Sequence, residues 1–263
     1  MASEIHPTAI IDPSAELGAD ITVGPYCIIG PHVRLGDRCW LQHHVSLSGP
    51  TVVGTDNLFY AFASVGQRSQ DLKYQGEPTY LEIGNNNSFR ESCTVNRGTA
   101  PESKTIVGHD NHFLAYCHIA HDCVVGNHVI FSNNGTLAGH VQVEDHVILG
   151  GLTAVHQFCR LGRHSITGGC TKVVQDVVPY TIADGNPARA RGINVTGLKR
   201  HGYSDEAAMD LRRAYRTLYR SKLNISQAIE ELRKAPANEA VTHLIDFVAS
   251  SQRGIVTAGR GQD

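Results

Sequence analysis

The chain repeats itself every six residues, and that period constrains its fold more than any other property of the sequence. From Leu17 it divides into "LGADIT", "VGPYCI", "IGPHVR", "LGDRCW" and onward to Gly66. The frame resumes at Ile83 with "IGNNNS" and "FRESCT", then runs unbroken from Val107 through "IAHDCV", "LAGHVQ" and "VHQFCR" to "TGGCTK". An aliphatic residue or Phe opens nearly every unit, Gly often follows, and a small or β-branched residue stands fifth. This is the hexapeptide signature of a parallel β-helix, with the first and fifth side chains pointing inward. Gly at the second position is expected to supply a backbone turn that other residues reach only with strain. Three units make one triangular coil, so residues 18 apart should stack about 4.8 Å apart on successive coils.

Six of the seven cysteines (Cys27, Cys39, Cys93, Cys117, Cys123 and Cys159) fall at the fifth position. They read as small core residues rather than nucleophiles or ligands. Cys170 stands fourth and is also expected to be inert. Two stretches do not fit the coil, residues 67–82 ("QRSQDLKYQGEPTYLE") and 97–106 ("RGTAPESKTI"). Both should project as loops, and loops on a rigid scaffold are where ligand contacts concentrate. After about residue 190 the repeat ends. "SDEAAMDLRRAYRTLYRSK" reads as a helix capped by Ser204, with Met209, Leu211, Tyr215, Leu218 and Tyr219 as its apolar stripe. "SQAIEELRKA" and "NEAVTHLIDFVAS" predict two more helices separated by Pro236, and the tail from Arg253 reads as frayed. The expected architecture is mainly β: a prism of about ten coils over 1–190, then a small α-helical domain over 191–263.

No stretch of 18 apolar residues exists to span a bilayer, and "MASEIHPTAI" lacks the basic and apolar regions of a signal peptide. A cytoplasmic protein without membrane insertion is the expectation. The formal net charge is −2, unevenly spread. Residues 189–234 hold eleven Lys/Arg against five Asp/Glu, a local +6 that leaves −8 for the remainder. One end is therefore basic, which suits an anionic partner or substrate.

The 18-residue register gathers a polar group. His121 aligns with Gly139 and Gln157, Asp122 with His140, and His156 with Ala138 and Ala120. Third and fourth positions lie at or near turns, so these side chains should face a groove. Three readings compete. His121 is a general base, with Asp122 fixing its tautomer and the Gly139 N–H meeting an oxyanion. Alternatively His118, His121 and His140 hold zinc, as in the trimeric carbonic anhydrases that share such a prism. In the third reading these are ordinary surface residues of a scaffold, since 15 histidines must cluster somewhere. His32, His109, His112, His128, His146 and His164 read as solvated prism surface, or as faces packed on a neighbouring chain. Flat prism faces point to cyclic oligomers with clefts between subunits.

Particular segments resemble one family of hexapeptide-repeat acyltransferases, the UDP-N-acetylglucosamine O-acyltransferases that open lipid A biosynthesis. They are "SVGQRSQDLKYQGEPT" at 64–79, "NRGT" at 96–99, "HIAHDCVVGN" at 118–127, "LAGHV" at 137–141, "AVHQFCRLG" at 154–162 and "IADGNPARARGINVTGLKRHGY" at 182–203. The resemblance spans nearly the whole chain. It implies a left-handed parallel β-helix, against the usual right-handed crossover rule, and a cytoplasmic homotrimer with active sites between subunits. It implies transfer of an (R)-3-hydroxyacyl group from acyl carrier protein to the 3-hydroxyl of UDP-N-acetylglucosamine, with no metal, cofactor or nucleic acid.

By the same resemblance His121 is the base, aided by Asp122, and Gly139 the oxyanion donor. His118, His140 and His156 shape the sugar and acyl sites, and Gln157 belongs to the nucleotide pocket. Gln70, Asp71 and Lys73 contact the sugar or acyl part. Asn194 and Arg200 serve the nucleotide and phosphate end, where His201 replaces a frequent second arginine. Gly168 and Gly169 stand at the height where acyl length is measured. Arg212, Arg213, Arg216, Arg220 and Lys222 offer a docking face for the acidic carrier protein.

Overall fold

A computed structural model describes residues 2–258. Its strands, mostly two or three residues long, join into three sheets of eleven, nine and eight members, one for each face of a triangular prism and all parallel except the last strand of the first. Coils begin at Glu4–Ile5, which pairs with Thr22–Val23. The 18-residue register is then regular: Thr22 lies against Trp40 and Thr136 against Ala154. Across the first insertion Val53 pairs with Ile83, and across the second Val95 pairs with Ile119. The coil therefore absorbs both insertions without losing its stacking, and winds as a left-handed parallel β-helix. The expected loops are shorter than the sequence implied. Gln67 and Tyr80–Ile83 are strand, as is Lys104–Val107, because each pairs with the neighbouring coil. The projecting segments are 68–79 and 97–103.

The corner chemistry corrects the expectation about glycine. Nearly every corner is turned by the fourth residue of its hexapeptide, a non-glycine at φ of 53° to 65°, including Asp20, His32, Asp122, His140 and His164. Second-position glycines mostly have ordinary φ and are needed for close approach. A Cβ on Gly36 would stand 2.6 Å from Gly54, and one on Gly84 would stand 2.6 Å from Gly108. No side chain fits between coils so close together.

Inside, the first-position residues form columns. Phe59, Phe89, Phe113 and Phe131 are buried, with successive ring centroids 5.1, 5.0 and 5.1 Å apart. Each such pair adds about 0.5–1.5 kcal/mol beyond the burial of its area. The fifth-position column includes Asn57, Asn87 and Asn111, polar residues with almost no exposure. They form a ladder: the Asn87 Nδ2 donates to Asn57 Oδ1 and Gly108 O, and the Asn111 Nδ2 donates to Gly126 O. Fully partnered amides of this kind can be buried without the cost of an unmet donor. The six fifth-position cysteines are buried and all seven are free thiols. Burial pushes the Cys39 and Cys159 thiols up to about 11 and Cys123 to about 12, so these thiols stay protonated and unreactive near neutral pH.

The prism ends in an antiparallel hairpin, Thr181–Asp184 with Arg189–Ile193. Four helices follow. α1 (Val195–Arg200) has no periodic signal long enough to predict it. α2 (Asp205–Arg220) is capped by Ser204, as expected. α3 (Ile225–Arg233) is capped by Asn224 in a capping box with Gln227, and α4 (Glu239–Ala249) by Asn238. The buried stripe of α2 is Ala208, Leu211, Ala214, Tyr215 and Leu218; Met209 is half exposed, because small alanines bring the helix down on a different face. The helices share one hydrophobic core with the last coils, and Tyr215 donates a hydrogen bond to Ala190 O.

The tail is ordered where it is described. Ile255 bridges to Asp176 and Ala258 to Ala190, and Val256 is buried, because the last coil leaves backbone groups free to pair. Residues 259–263 lie outside the described residues. Among those described, no helix is long and apolar enough to cross a membrane.

Candidate active site

His121 and Asp122 turn one corner of the prism. Asp122 has φ 59°, and that left-handed step folds its carboxylate back onto the preceding ring. His121 Nδ1 lies 2.8 Å from Asp122 Oδ2. An ionised carboxylate only accepts, so Nδ1 carries the ring proton and Nε2 keeps its lone pair. Asp122 is itself held: its oxygens accept the Thr99 N–H at 3.3 and 3.2 Å, and its own N–H donates to Thr105 Oγ1 at 2.8 Å. Burial alone would raise the Asp122 pKa. The nearby Ser103 hydroxyl, the His121 ring and the Thr99 N–H outweigh it and hold the carboxyl below its usual range, although Ser103 Oγ makes no hydrogen bond of good geometry.

Gly139 sits one coil on, directly against the imidazole. A Cβ there would lie 2.4 Å from His121 Cε1 and 2.5 Å from Nε2, so only glycine leaves the ring its place. Its N–H makes no hydrogen bond among the described residues. Third-position N–H groups stand outside the coil ladder, which is why Pro25 and Pro31 are tolerated at equivalent places. The Gly139 N–H is therefore available beside the ring.

The loop 68–79 covers this corner. Ser69 Oγ and Thr99 Oγ1, 2.6 Å apart, tie it to the second insertion, and the Asn96 Nδ2 donates to Arg68 O. The Arg97 guanidinium braces the base of both by donating to Gly49 O and Gly66 O. Asp71 Oδ2 is thereby placed 3.9 Å from His121 Nε2. Gln70 and Asp71 line an open cleft of about 550 Å³. Lys73 is exposed, its N–H bound to Asp71 Oδ1. On the other side the His140 ring stands edge-on to His121, 5.2 Å away, and stacks on Phe158 at 4.6 Å. A groove of about 610 Å³ runs from Asp122 and His140 past Phe158 and Arg160 to Arg253. His156 and Gln157 are exposed, the His156 Nδ1 3.2 Å from Gln157 O.

Not every expected residue joins this group. His118 stands on the nine-stranded sheet beside its register partner, with Nδ1 2.7 Å from Thr94 Oγ1; burial first, then His121, lowers its pKa. The trio able to hold an ion is thus His121, Asp122 and His140, with ligand atoms within 4.8 Å of one another, and not the expected His118, His121 and His140. Asn194 is buried; its Oδ1 caps α1 by accepting the Gly197 N–H and its Nδ2 donates to His164 O. Its side chain therefore anchors the segment carrying the exposed Arg200. Both lie along a different edge of the prism, the one stacked from His128, His146 and His164. His164 is buried and not solvated as expected, because α1 and Tyr203 cover it. Gly168 abuts Asp184, where a Cβ would stand 2.3 Å from Oδ1, whereas Gly169 is exposed with only Gly151 O near it. Arg212, Arg213, Arg216, Arg220 and Lys222 are exposed on and just beyond α2, with Arg213 3.0 Å from Asp210.

Comparisons with known proteins bear on the family and the fold. Residues 176–256 match the second domain of UDP N-acetylglucosamine O-acyltransferases, and 2–37 match the bacterial transferase hexapeptide repeat. The chain is 48% identical to the acyl-[acyl-carrier-protein]--UDP-N-acetylglucosamine O-acyltransferase of Thiobacillus denitrificans, over 96% of this chain and 98% of that one. The chain belongs to this acyltransferase family. Among solved structures, LpxA from Acinetobacter baumannii superposes with a TM-score of 0.93 at 47% identity, covering 96% of this chain and 99% of that one. The Francisella novicida UDP-N-acetylglucosamine acyltransferase gives 0.94 at 34%, covering 97% and 95%. Several members of the site carry no sequence signal in a single chain. Thr99, Ser103, Thr105 and Ser69 act through insertions whose path the repeat does not specify, and Phe158 reads as one more fourth-position residue.

Proposed function

We propose that this chain transfers an (R)-3-hydroxyacyl group from acyl carrier protein to the 3-hydroxyl of UDP-N-acetylglucosamine, the first step of lipid A biosynthesis. The observation that supports this best is the Asp122–His121 pair lying under a glycine with a free N–H. His121 Nε2 takes the hydroxyl proton while the sugar oxygen attacks the thioester carbonyl carbon. The resulting oxyanion is met by the Gly139 N–H. Collapse breaks the carbon–sulfur bond, and the imidazolium returns its proton to the departing thiolate. Atoms and charge balance without a cofactor, because the thioester carries its own activation, and no core cysteine takes part.

Asp71 and Gln70 border the sugar, with Lys73 beside them on the loop. His140, His156 and Gln157 line the remainder of the site, and His118 supports it from the adjoining face. Arg200, anchored through Asn194, serves the phosphates. Because Arg200 and His121 occupy different edges of one prism, a complete site needs the Arg200 edge of a second subunit. This favours a cyclic homotrimer. Gly169, the open one of the glycine pair, marks the acyl-length position; a Gly169→Met variant with unchanged donor preference would remove that role. The α2 arginines with Lys222 dock the acidic carrier protein, and the enzyme works in the cytoplasm without nucleic acid.

The test is thiol release from hydroxyacyl carrier protein in the presence of UDP-N-acetylglucosamine. Activity should fall by about 10²–10⁴ in His121→Ala and persist in excess chelator. Loss of kcat on chelation at saturating sugar nucleotide, with recovery on added zinc, would favour instead an ion held by His121, Asp122 and His140.

A further inference from the structure

A second histidine cluster lies on the edge away from His121. His128, His146 and His164 are fourth-position residues of three successive coils, and their rings stack at 4.8 and 4.6 Å with planes within 7° and 4°. Coil spacing alone accounts for that ladder. It does not account for His201. The residue is the C-cap of α1, and its ring is laid against both His146 and His164, at 4.5 and 4.7 Å and tilted by 54° and 50°.

We propose that His146, His164 and His201 form a binding site for a divalent transition-metal ion, with zinc the best-suited occupant and water as its fourth ligand. One ring nitrogen from each residue lies within 4.8 Å of the other two. An ion at the centre of such a triangle is at most about 2.8 Å from each nitrogen, and a zinc–nitrogen bond is about 2.0–2.1 Å. Closing that gap takes movements of under an ångström; the parallel His146 and His164 rings must also turn out of their stack so that their in-plane lone pairs converge, and His201, exposed at a helix end, is free to follow. None of the three rings makes a hydrogen bond to another described residue, so no existing bond must break.

The surroundings favour the ligating, neutral form of the two prism rings, His146 and His164. Burial first, then His146 and His201, pushes the His164 pKa down to about 3, and burial with His201 lowers that of His146. Two nearby charges act in opposite senses on an added cation: the Arg163 guanidinium disfavours it and the Asp145 carboxylate favours it. Three imidazoles with an open fourth position are a donor set for zinc, nickel or copper rather than for magnesium or calcium. The ion would staple α1 to the prism beside the Asn194 side chain, which already donates to His164 O. Its role is thus to hold the Arg200 segment in place, on an edge separate from the His121 base.

The experiment uses the full-length, tag-free protein, stripped with chelator and dialysed. Zinc sulfate is added by calorimetry, and cobalt chloride is followed by visible absorption. We expect one ion per chain with micromolar or tighter affinity, a tetrahedral cobalt spectrum, and a thermal midpoint raised by several degrees with zinc. His201→Gln and His146→Gln should each weaken binding at least tenfold and abolish the thermal shift, whereas His140→Asn should leave both intact. Absence of stoichiometric binding would overturn the proposal. So would binding that survives in His201→Gln, or that is lost in His140→Asn, since the ion would then sit elsewhere.

Discussion

Two edges of the same prism both gather histidines, yet on only one does a carboxylate hold a ring nitrogen within hydrogen-bond distance. On the edge proposed as catalytic, His121 is third in its hexapeptide, and the residue at the left-handed corner is Asp122. The corner turns a carboxylate onto Nδ1, and the facing coil offers Gly139 with a spare N–H. On the other edge the histidines themselves occupy the corner. His146 and His164 stack face to face without a carboxylate on their nitrogens, and His201 closes over them. A shift of one position within a six-residue unit thus separates a ring held by a carboxylate from a stack of rings with none on His146 or His164.

The sharpest way to break this contrast is to exchange the outcomes of its histidines. His121→Ala should lower kcat by about 10²–10⁴, while His146→Gln should leave kcat within about twofold, both measured at saturating substrates. Equal losses would mean that the edges are not functionally distinct. Gly139→Ala should come next, with kcat reduced by about a hundredfold and little change in KM. Its methyl group would occupy the space of the imidazole, 2.4 Å from Cε1. A fully active alanine variant would show that the ring has room to move.

Smaller effects sharpen the separation of binding from chemistry. Arg200→Ala should raise KM for the sugar nucleotide roughly tenfold or more, the range expected for one charge-assisted hydrogen bond, and spare kcat. Charge reversal at Arg216 and Arg220 together should raise KM severalfold for acyl carrier protein but not for a small pantetheine thioester. An equal rise for both donors would rule out docking on α2.

The weakest expected effect concerns stability at the junction of prism and helices. Burial of Glu144 would raise its pKa, but the His243 ring, 3.1 Å away, and the Arg163 N–H hold it below the usual range. A depressed carboxylate contributes stability above its unfolded-state pKa, near 4.3. That contribution is lost as pH falls through the lower folded value. Acid titration followed by helical circular dichroism should show the helices loosening below about pH 4, and Glu144→Gln should flatten that transition. An unchanged acid limb in the variant would show that Glu144 is not the group responsible.

Much of the site was legible because the repeat is strict. An 18-residue step places Gly139 against His121 and His140 beside Asp122, and both placements hold in the structure. Other positions were legible only in part. His118 and His121 share a motif, yet strand alternation and the corner send them to different faces. Asn194 read as a ligand residue, but it terminates a strand and must cap the helix that follows. His164 read as surface, because nothing in its hexapeptide announces that a six-residue helix will lie across it.

Taken alone, the sequence determined the coil, its period, the inward cysteines and phenylalanines, and the column in which His121 and Gly139 meet. These follow from a local rule repeated many times, so one frame specifies every contact within the prism. Tertiary structure alone decided what covers each edge: the 68–79 loop bringing Asp71 toward His121, Thr99 and Thr105 holding Asp122, and α1 delivering His201 to His146 and His164. Those contacts join segments of different period, and no spacing in the chain encodes the distance between them.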